Sequence, residues 1–168
     1  MPAETLTVLA TITGTRLKAA RAMLVTAESC TGGWVGEAAT AIAGSSEWFE
    51  RGFITYSNEA KQEMLGVRAG TLERHGAVSE ETAREMAAGA LARSRGSIAV
   101  AITGVAGPSG GSPAKPVGTV CLAWARGGTV RAETRRFDGD RDSVRRQSVI
   151  RALQGVIELL DEGAPQDG

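Results

Sequence analysis

The sequence is poor in the residues that most often announce a catalytic or binding class. It has one histidine, two cysteines, one tyrosine and 4% aromatic residues in all. Cys30 and Cys121 lie in no Cys-x-x-Cys or Cys/His cluster, so neither a disulfide framework nor a metal site is expected and a reducing cytoplasmic setting is the simpler one. No run of about 18 apolar residues occurs, which argues against a membrane span. The opening MPAETLTVLATITGT carries no basic stretch before an apolar one, so export is not expected either. Lys plus Arg equals Asp plus Glu at 19 each. With no global field, nucleic acid and anionic membranes are not expected partners, and any anion has to be bound locally.

What is present is aliphatic: 42% of the 168 residues are hydrophobic, enough for one domain, since single cores serve chains up to roughly 250 residues. One domain over 1–168 is expected, with 163–168 as a frayed tail. Glu4 to Arg21 reads as an amphipathic helix and Met23 to Ala27 as a buried strand. A helical pattern then runs from Thr31-Gly32-Gly33 to Gly44. Gly52 to Tyr56 is a second strand, followed by a helix capped by Ser57 or Asn58 and reaching Leu65. Ser79, with Glu80 and Glu81 behind it, starts a helix to Arg95, because a hydroxyl cap and early acids complement free helix-start amides. Ser97 to Ile102 is a third strand, and Thr103 to Gly111 is too glycine-rich for helix or ladder. Val117 to Ala125 and Thr129 to Phe137 form a hairpin about Gly127-Gly128, and Asp140 to Leu160 is the closing helix. This order predicts a mixed sheet covered on both faces by helices, with ligands beyond the carboxyl ends of the strands. No internal repeat is visible.

Ser29, Tyr56 and Thr103 fall at or just after strand ends, so they converge on one rim. Ser29 stands between a strand and a helix start whose amides near Thr31, Gly32 and Gly33 suit an oxyanion. Spacing alone leaves open whether it is a nucleophile or only a helix cap. A serine nucleophile needs a base, and His75 lies in a sequence expected to turn at the surface, Glu73-Arg74-His75-Gly76, that suits a solvated side chain. Lysine serves as the base in Ser-Lys variants of the triad, and Lys61 sits one helical turn past Tyr56. The pattern G-x-S-x-G at Gly107 to Gly111 lacks a following helix and is read as chance. Thr103, Gly104, Gly107, Gly110 and Gly111 suit close approach of backbone amides to a phosphate or sugar. That loop has neither the Walker ending nor the dinucleotide fingerprint. Among six arginines from Arg131 to Arg146, Arg145 is the candidate for a substrate phosphate.

Taken together, Thr26-Ala27-Glu28-Ser29-Cys30-Thr31-Gly32-Gly33, Gly52 to Asn58 with Lys61, Gly76 to Ser79, Ile102 to Pro108 and Lys115 to Val120 resemble the CinA C-terminal domain family over nearly the whole chain. The resemblance implies a three-layer α/β/α sandwich. It also implies hydrolysis of the carboxamide of nicotinamide mononucleotide to nicotinate mononucleotide and ammonia, without cofactor, by Ser29, Tyr56 and Lys61. Which of Tyr56 and Lys61 takes the serine proton stays open, as does self-association into a homo-oligomer. Longer members of the family carry an added N-terminal domain resembling molybdopterin-binding domains, whose activity is not expected here. Two other readings stand beside this one: a catalytically silent nucleotide-binding or regulatory module, and a serine amidase acting on another small amide.

Overall fold

The computed structural model describes residues 3–162; the expected tail over 163–168 lies outside the described residues. Five strands, β1 (Leu24–Glu28), β2 (Phe49–Ile54), β3 (Ile98–Gly104), β4 (Thr119–Arg126) and β5 (Thr129–Arg136), form one sheet in the order β2-β1-β3-β4-β5. β1 runs parallel to β2 and β3, whereas β4 and β5 are antiparallel additions. Helices α1 (Ala3–Ala19), α2 (Trp34–Thr40) and α6 (Arg141–Glu162) cover one face, and α3 (Asn58–Leu65), α4 (Ala69–His75) and α5 (Glu80–Ala92) lie on the other side. This is the mixed α/β/α sandwich that the order of elements predicts.

The period-two alternation of the central strands sorts side chains by size as well as by face. Leu24, Ile98, Val100, Ile102, Val120, Leu122 and Trp124 pack against α1, α2 and α6. Their neighbours Val25, Ala27, Ala99, Ala101, Cys121, Ala123 and Ala125 face the other way, toward α5. Small residues on that face and on α5 itself (Ala83, Ala87, Gly89, Ala90) let helix and sheet approach closely. The crowding extends to the neighbouring helix: a Cβ on Gly89 would lie 1.9 Å from the Leu65 carbonyl oxygen at the end of α3.

Several boundaries differ from the sequence reading. The helix expected to reach Gly44 ends at Thr40, and a short 3-10 helix over Ser45–Glu47 turns the chain into β2. β2 itself begins and ends earlier than expected; it is an edge strand with mostly half-buried or exposed residues, so it lacks the apolar run by which a buried strand is recognised. Thr103 and Gly104 extend β3 and pair with Cys121 and Val120, so the glycine-rich loop starts two residues later. α4 was not expected at all, and His75 closes it rather than sitting in a turn. Two caps hold: Ser57 accepts from the Ala60 amide and Ser79 from the Thr82 amide.

The connection leaving β1 runs to β2 on one side and the one leaving β3 runs to β4 on the other, so the carboxyl ends of β1 and β3 frame a topological switch point, where open α/β sheets place ligands. Ser29, Thr55 and Gly104 all lie at this end of the sheet. Among the described residues no helix is long and apolar enough to cross a membrane.

Candidate active site

Ser29 leaves β1 with its backbone held on both sides. Its amide donates to Ile102 O at 2.9 Å, prolonging the β1–β3 pairing, and its carbonyl accepts from the Gly32 amide at 3.0 Å. The return of the chain requires left-handed backbone at Gly32 (φ 58°) and Gly33 (φ 105°), conformations that glycine adopts without a Cβ clash. Opposite stands Lys61, in the first turn of α3 and only 1% exposed. Its Nζ lies 3.0 Å from Ser29 Oγ, 3.0 Å from Thr55 O and 3.2 Å from Tyr56 O. The β1–β2 pairing continues past the strands, Thr55 N donating to Glu28 O at 2.8 Å, and so brings these carbonyls beside the serine.

This geometry accommodates both protonation states of the amine. A neutral amine donates its two N–H bonds to Thr55 O and Tyr56 O and turns its lone pair to the Ser29 hydroxyl; an ammonium finds three acceptors. Burial lowers the Lys61 pKa from its ordinary value of 10.5, with Cys30 opposing that shift, because desolvation disfavours the charged form. The same burial pushes the Cys30 thiol up to about 12, against the opposing influence of Arg145. A thiol so placed is protonated at neutral pH and is a poor nucleophile.

Ser29, Cys30, Tyr56, Lys61, Thr103 and Arg141 line a cleft of about 240 Å³. Tyr56 enters it differently from the expectation. Its carbonyl joins Ser29 and Lys61, while its phenol, in a side chain 63% exposed, accepts from Arg141 Nη2 at 3.3 Å. Arg141 Nη1 also donates to Gly107 O at 2.8 Å, so this guanidinium bridges the cleft rim. Thr103 reaches the cleft wall and donates to Ala77 O at 2.9 Å.

Four candidate binding groups are placed otherwise. Arg145 does not line the cleft; it donates to Cys30 O at 3.0 Å and Thr31 O at 3.1 Å and stacks over Trp34 at 5.3 Å. Thr31 is fully buried and donates to Glu28 Oε1 at 2.7 Å. Of the amides expected for an oxyanion, that of Gly32 donates to Ser29 O, and further along the same turn those of Val35 and Gly36 donate to the Glu28 carboxylate. Gly33 caps α2, and neither it nor Gly32 lines the cleft. Of the loop glycines only Gly104 lines it; Gly107, Gly110 and Gly111 do not. Arg141 lines the cleft although the sequence did not single it out: it is one of six neighbouring arginines, and nothing local separates it from Arg145, one helical turn away.

A larger cavity of about 560 Å³ lies beyond Val78, between the start of α5 and the β4–β5 hairpin. It contains neither Ser29 nor Lys61. Its cations Arg74, Lys115 and Arg136 share the lining with Glu80 and Glu81, which offset most of their charge.

A lysine amine buried beside a serine hydroxyl at the switch point of a mixed α/β sheet is the arrangement of the Ser–Lys variants of the catalytic triad, in which lysine replaces histidine as base. Residues 6–160 match the CinA C-terminal domain, and the chain belongs to that family. It is 54% identical to the nicotinamide-nucleotide amidohydrolase PncC of Pseudomonas putida, over 95% of this chain and 99% of that one. It is 61% identical to the protein of the same name from Escherichia coli K12, over 84% of this chain and 86% of that one. The crystal structure of competence/damage inducible protein CihA from Agrobacterium tumefaciens superposes with a TM-score of 0.89 at 49% identity, covering 92% of this chain and 94% of that one.

Proposed function

We propose that the chain hydrolyses the carboxamide of nicotinamide mononucleotide to nicotinate mononucleotide and ammonia, with Ser29 as nucleophile and Lys61 as its base. The observation that carries this reading is the 3.0 Å contact of Lys61 Nζ with Ser29 Oγ, with two backbone carbonyls accepting the other N–H bonds. The names of the relatives supply the substrate.

In the first half-reaction the Lys61 lone pair takes the Ser29 proton as Oγ bonds to the amide carbon. Lys61 then returns the proton to the departing nitrogen, which leaves as ammonia, and an ester joins Ser29 to the nicotinoyl group. In the second half a water gives its proton to Lys61, attacks the ester and frees the acid, and Ser29 recovers its proton. Thr55 O and Tyr56 O hold the amine through both halves, so its two states need no rearrangement. The Tyr56 phenol and Arg141 on the rim hold the phosphoribosyl end of the substrate, and that remote binding helps the reaction at the carboxamide. In this reading Lys61, not the phenol, takes the serine proton.

A silent binding module would have no use for a lysine buried against a serine, since burying an amine costs free energy and binding alone does not need it. A cytosolic setting accords with the two cysteines being free thiols. Ammonia release decides the matter. The purified chain should release ammonia from nicotinamide mononucleotide, and Ser29→Ala should release none above background. Turnover of free nicotinamide at least equal to that of the nucleotide would instead point to an amidase for another small amide.

A further inference from the structure

The residue before the nucleophile carries a carboxylate that the mechanism above does not use. Glu28 is the last residue of β1 and 1% exposed. Its Oε1 accepts from Thr31 Oγ1 at 2.7 Å and from the Val35 amide at 2.8 Å, and its Oε2 accepts from the Gly36 amide at 3.1 Å. All three donors are neutral. A buried carboxylate is costly unless hydrogen bonds compensate it, and here each one ties the strand end to the far side of the turn that presents Ser29. The turn between has two left-handed glycines, Gly32 and Gly33, which give it freedom to open unless something closes it.

A second restraint acts on the same turn. Arg145 reaches over from α6 and donates to the carbonyls of Cys30 and Thr31 at 3.0 and 3.1 Å. The carboxylate thus gathers the amides and hydroxyl of the segment while the guanidinium gathers its carbonyls. Between them Ser29 Oγ is left facing Lys61 Nζ.

We propose that Glu28 is a positioning residue for the nucleophile: by holding Thr31, Val35 and Gly36 it fixes the turn that sets Ser29 Oγ against Lys61 Nζ. The inference rests on the reading of Ser29 as the attacking group but not on the identity of the amide. Glu28→Gln keeps the size of the side chain and one acceptor oxygen, but sets an NH2 group against a donor that in the wild type bonds a carboxylate oxygen. The turn should loosen while the fold persists.

The test reads Ser29 directly, with a small alkyl fluorophosphonate. Ser29 Oγ bonds to phosphorus, the P–F bond breaks, fluoride leaves and the hydroxyl proton passes to Lys61. Adduct formation is followed by mass spectrometry, beside ammonia release from nicotinamide mononucleotide. In Glu28→Gln the labelling rate constant and kcat should both fall about tenfold or more, since small misplacements of a reacting atom are costly. KM should be unchanged, and so should the pH midpoint of labelling, because the contacts of Lys61 with Thr55 O and Tyr56 O remain. A variant that only folded less well would label at the wild-type rate per folded molecule, and that result overturns the proposal. If Glu28→Gln does not fold, Thr31→Val removes one donor and leaves the charge in place; it should label several-fold more slowly, and labelling at the wild-type rate overturns the proposal equally. Wild-type protein that releases ammonia but takes no label removes Ser29 as nucleophile, and this proposal with it. Labelled protein that releases no ammonia leaves the role of Glu28 intact and removes the substrate.

Discussion

Replacing Lys61 by methionine removes the amine and keeps much of the side-chain volume. In the proposed reaction this amine carries the proton transfer at Ser29, a contribution of about 10²- to 10⁴-fold for a positioned base, equivalent to about 3–5 kcal/mol of transition-state stabilisation. For stability two effects oppose each other. Three hydrogen bonds disappear, each with a net contribution of about 0.5–1.5 kcal/mol, whereas the desolvation of a nearly inaccessible amine is relieved, an effect of several kcal/mol for a buried ion. Lys61→Met should therefore be at least as stable as the wild type at neutral pH while nearly inactive. The pH dependence follows from linkage. Burial lowers the folded pKa of Lys61 below its ordinary 10.5, so between those values the unfolded chain binds more protons and wild-type stability rises with pH. The advantage of the methionine variant should shrink across that interval and be fully present only below the folded pKa. The same ionisation should appear in catalysis, kcat/KM rising with pH through a midpoint below 10.5. Calorimetry at several pH values and ammonia release measure the two halves. A folded Lys61→Met that retains kcat within tenfold of the wild type would refute the assignment of the base, as would a Lys61→Arg variant with normal turnover, since arginine does not deprotonate in this range.

Cys30→Ala should keep most of the activity that Ser29→Ala loses, because the thiol is buried and its pKa is pushed up to about 12; a folded Cys30→Ala without activity beside an active Ser29→Ala would make Cys30 the nucleophile. Arg141→Ala should raise KM for nicotinamide mononucleotide and leave nicotinamide riboside, which lacks the phosphate, nearly unaffected. Equal effects on both substrates would remove Arg141 from the phosphate. Gly89→Ala places a Cβ 1.9 Å from the backbone oxygen of Leu65, an overpacking worth about 1–3 kcal/mol. Its midpoint of thermal unfolding should fall by several degrees, and an unchanged midpoint would show that α3 and α5 can separate freely.

How far the sequence could be read differs from one element to the next. Ser57 and Ser79 were legible as caps because a hydroxyl before a helical pattern acts within its own turn, and the Gly127-Gly128 hairpin because its signal is equally local. β2 was displaced because an edge strand buries few of its residues, and α4 was missed because the apolar pattern of a seven-residue helix is too short to show a period. In the site, Ser29, Lys61 and Thr103 were identified as rim residues from their place at strand ends and helix starts, and the motifs pointed to the family. The sequence names Tyr56 too, but not that its carbonyl faces the serine while its phenol turns to Arg141. Arg141 and Arg145 are equivalent in sequence; one helical turn, and the register of α6 against the sheet, put the first on the cleft rim and the second on the nucleophile turn. Glu28 shows no sign of its partners, which come from three to eight positions further along the chain once the turn has folded back. By itself, then, the sequence determined the elements and the residue types at the switch point, because those depend on contacts between near neighbours. The tertiary structure alone decided which polar atoms meet, because Ser29 and Lys61 are 32 positions apart and only the pairing of β1 with β2 brings a buried amine within hydrogen-bonding distance of a hydroxyl.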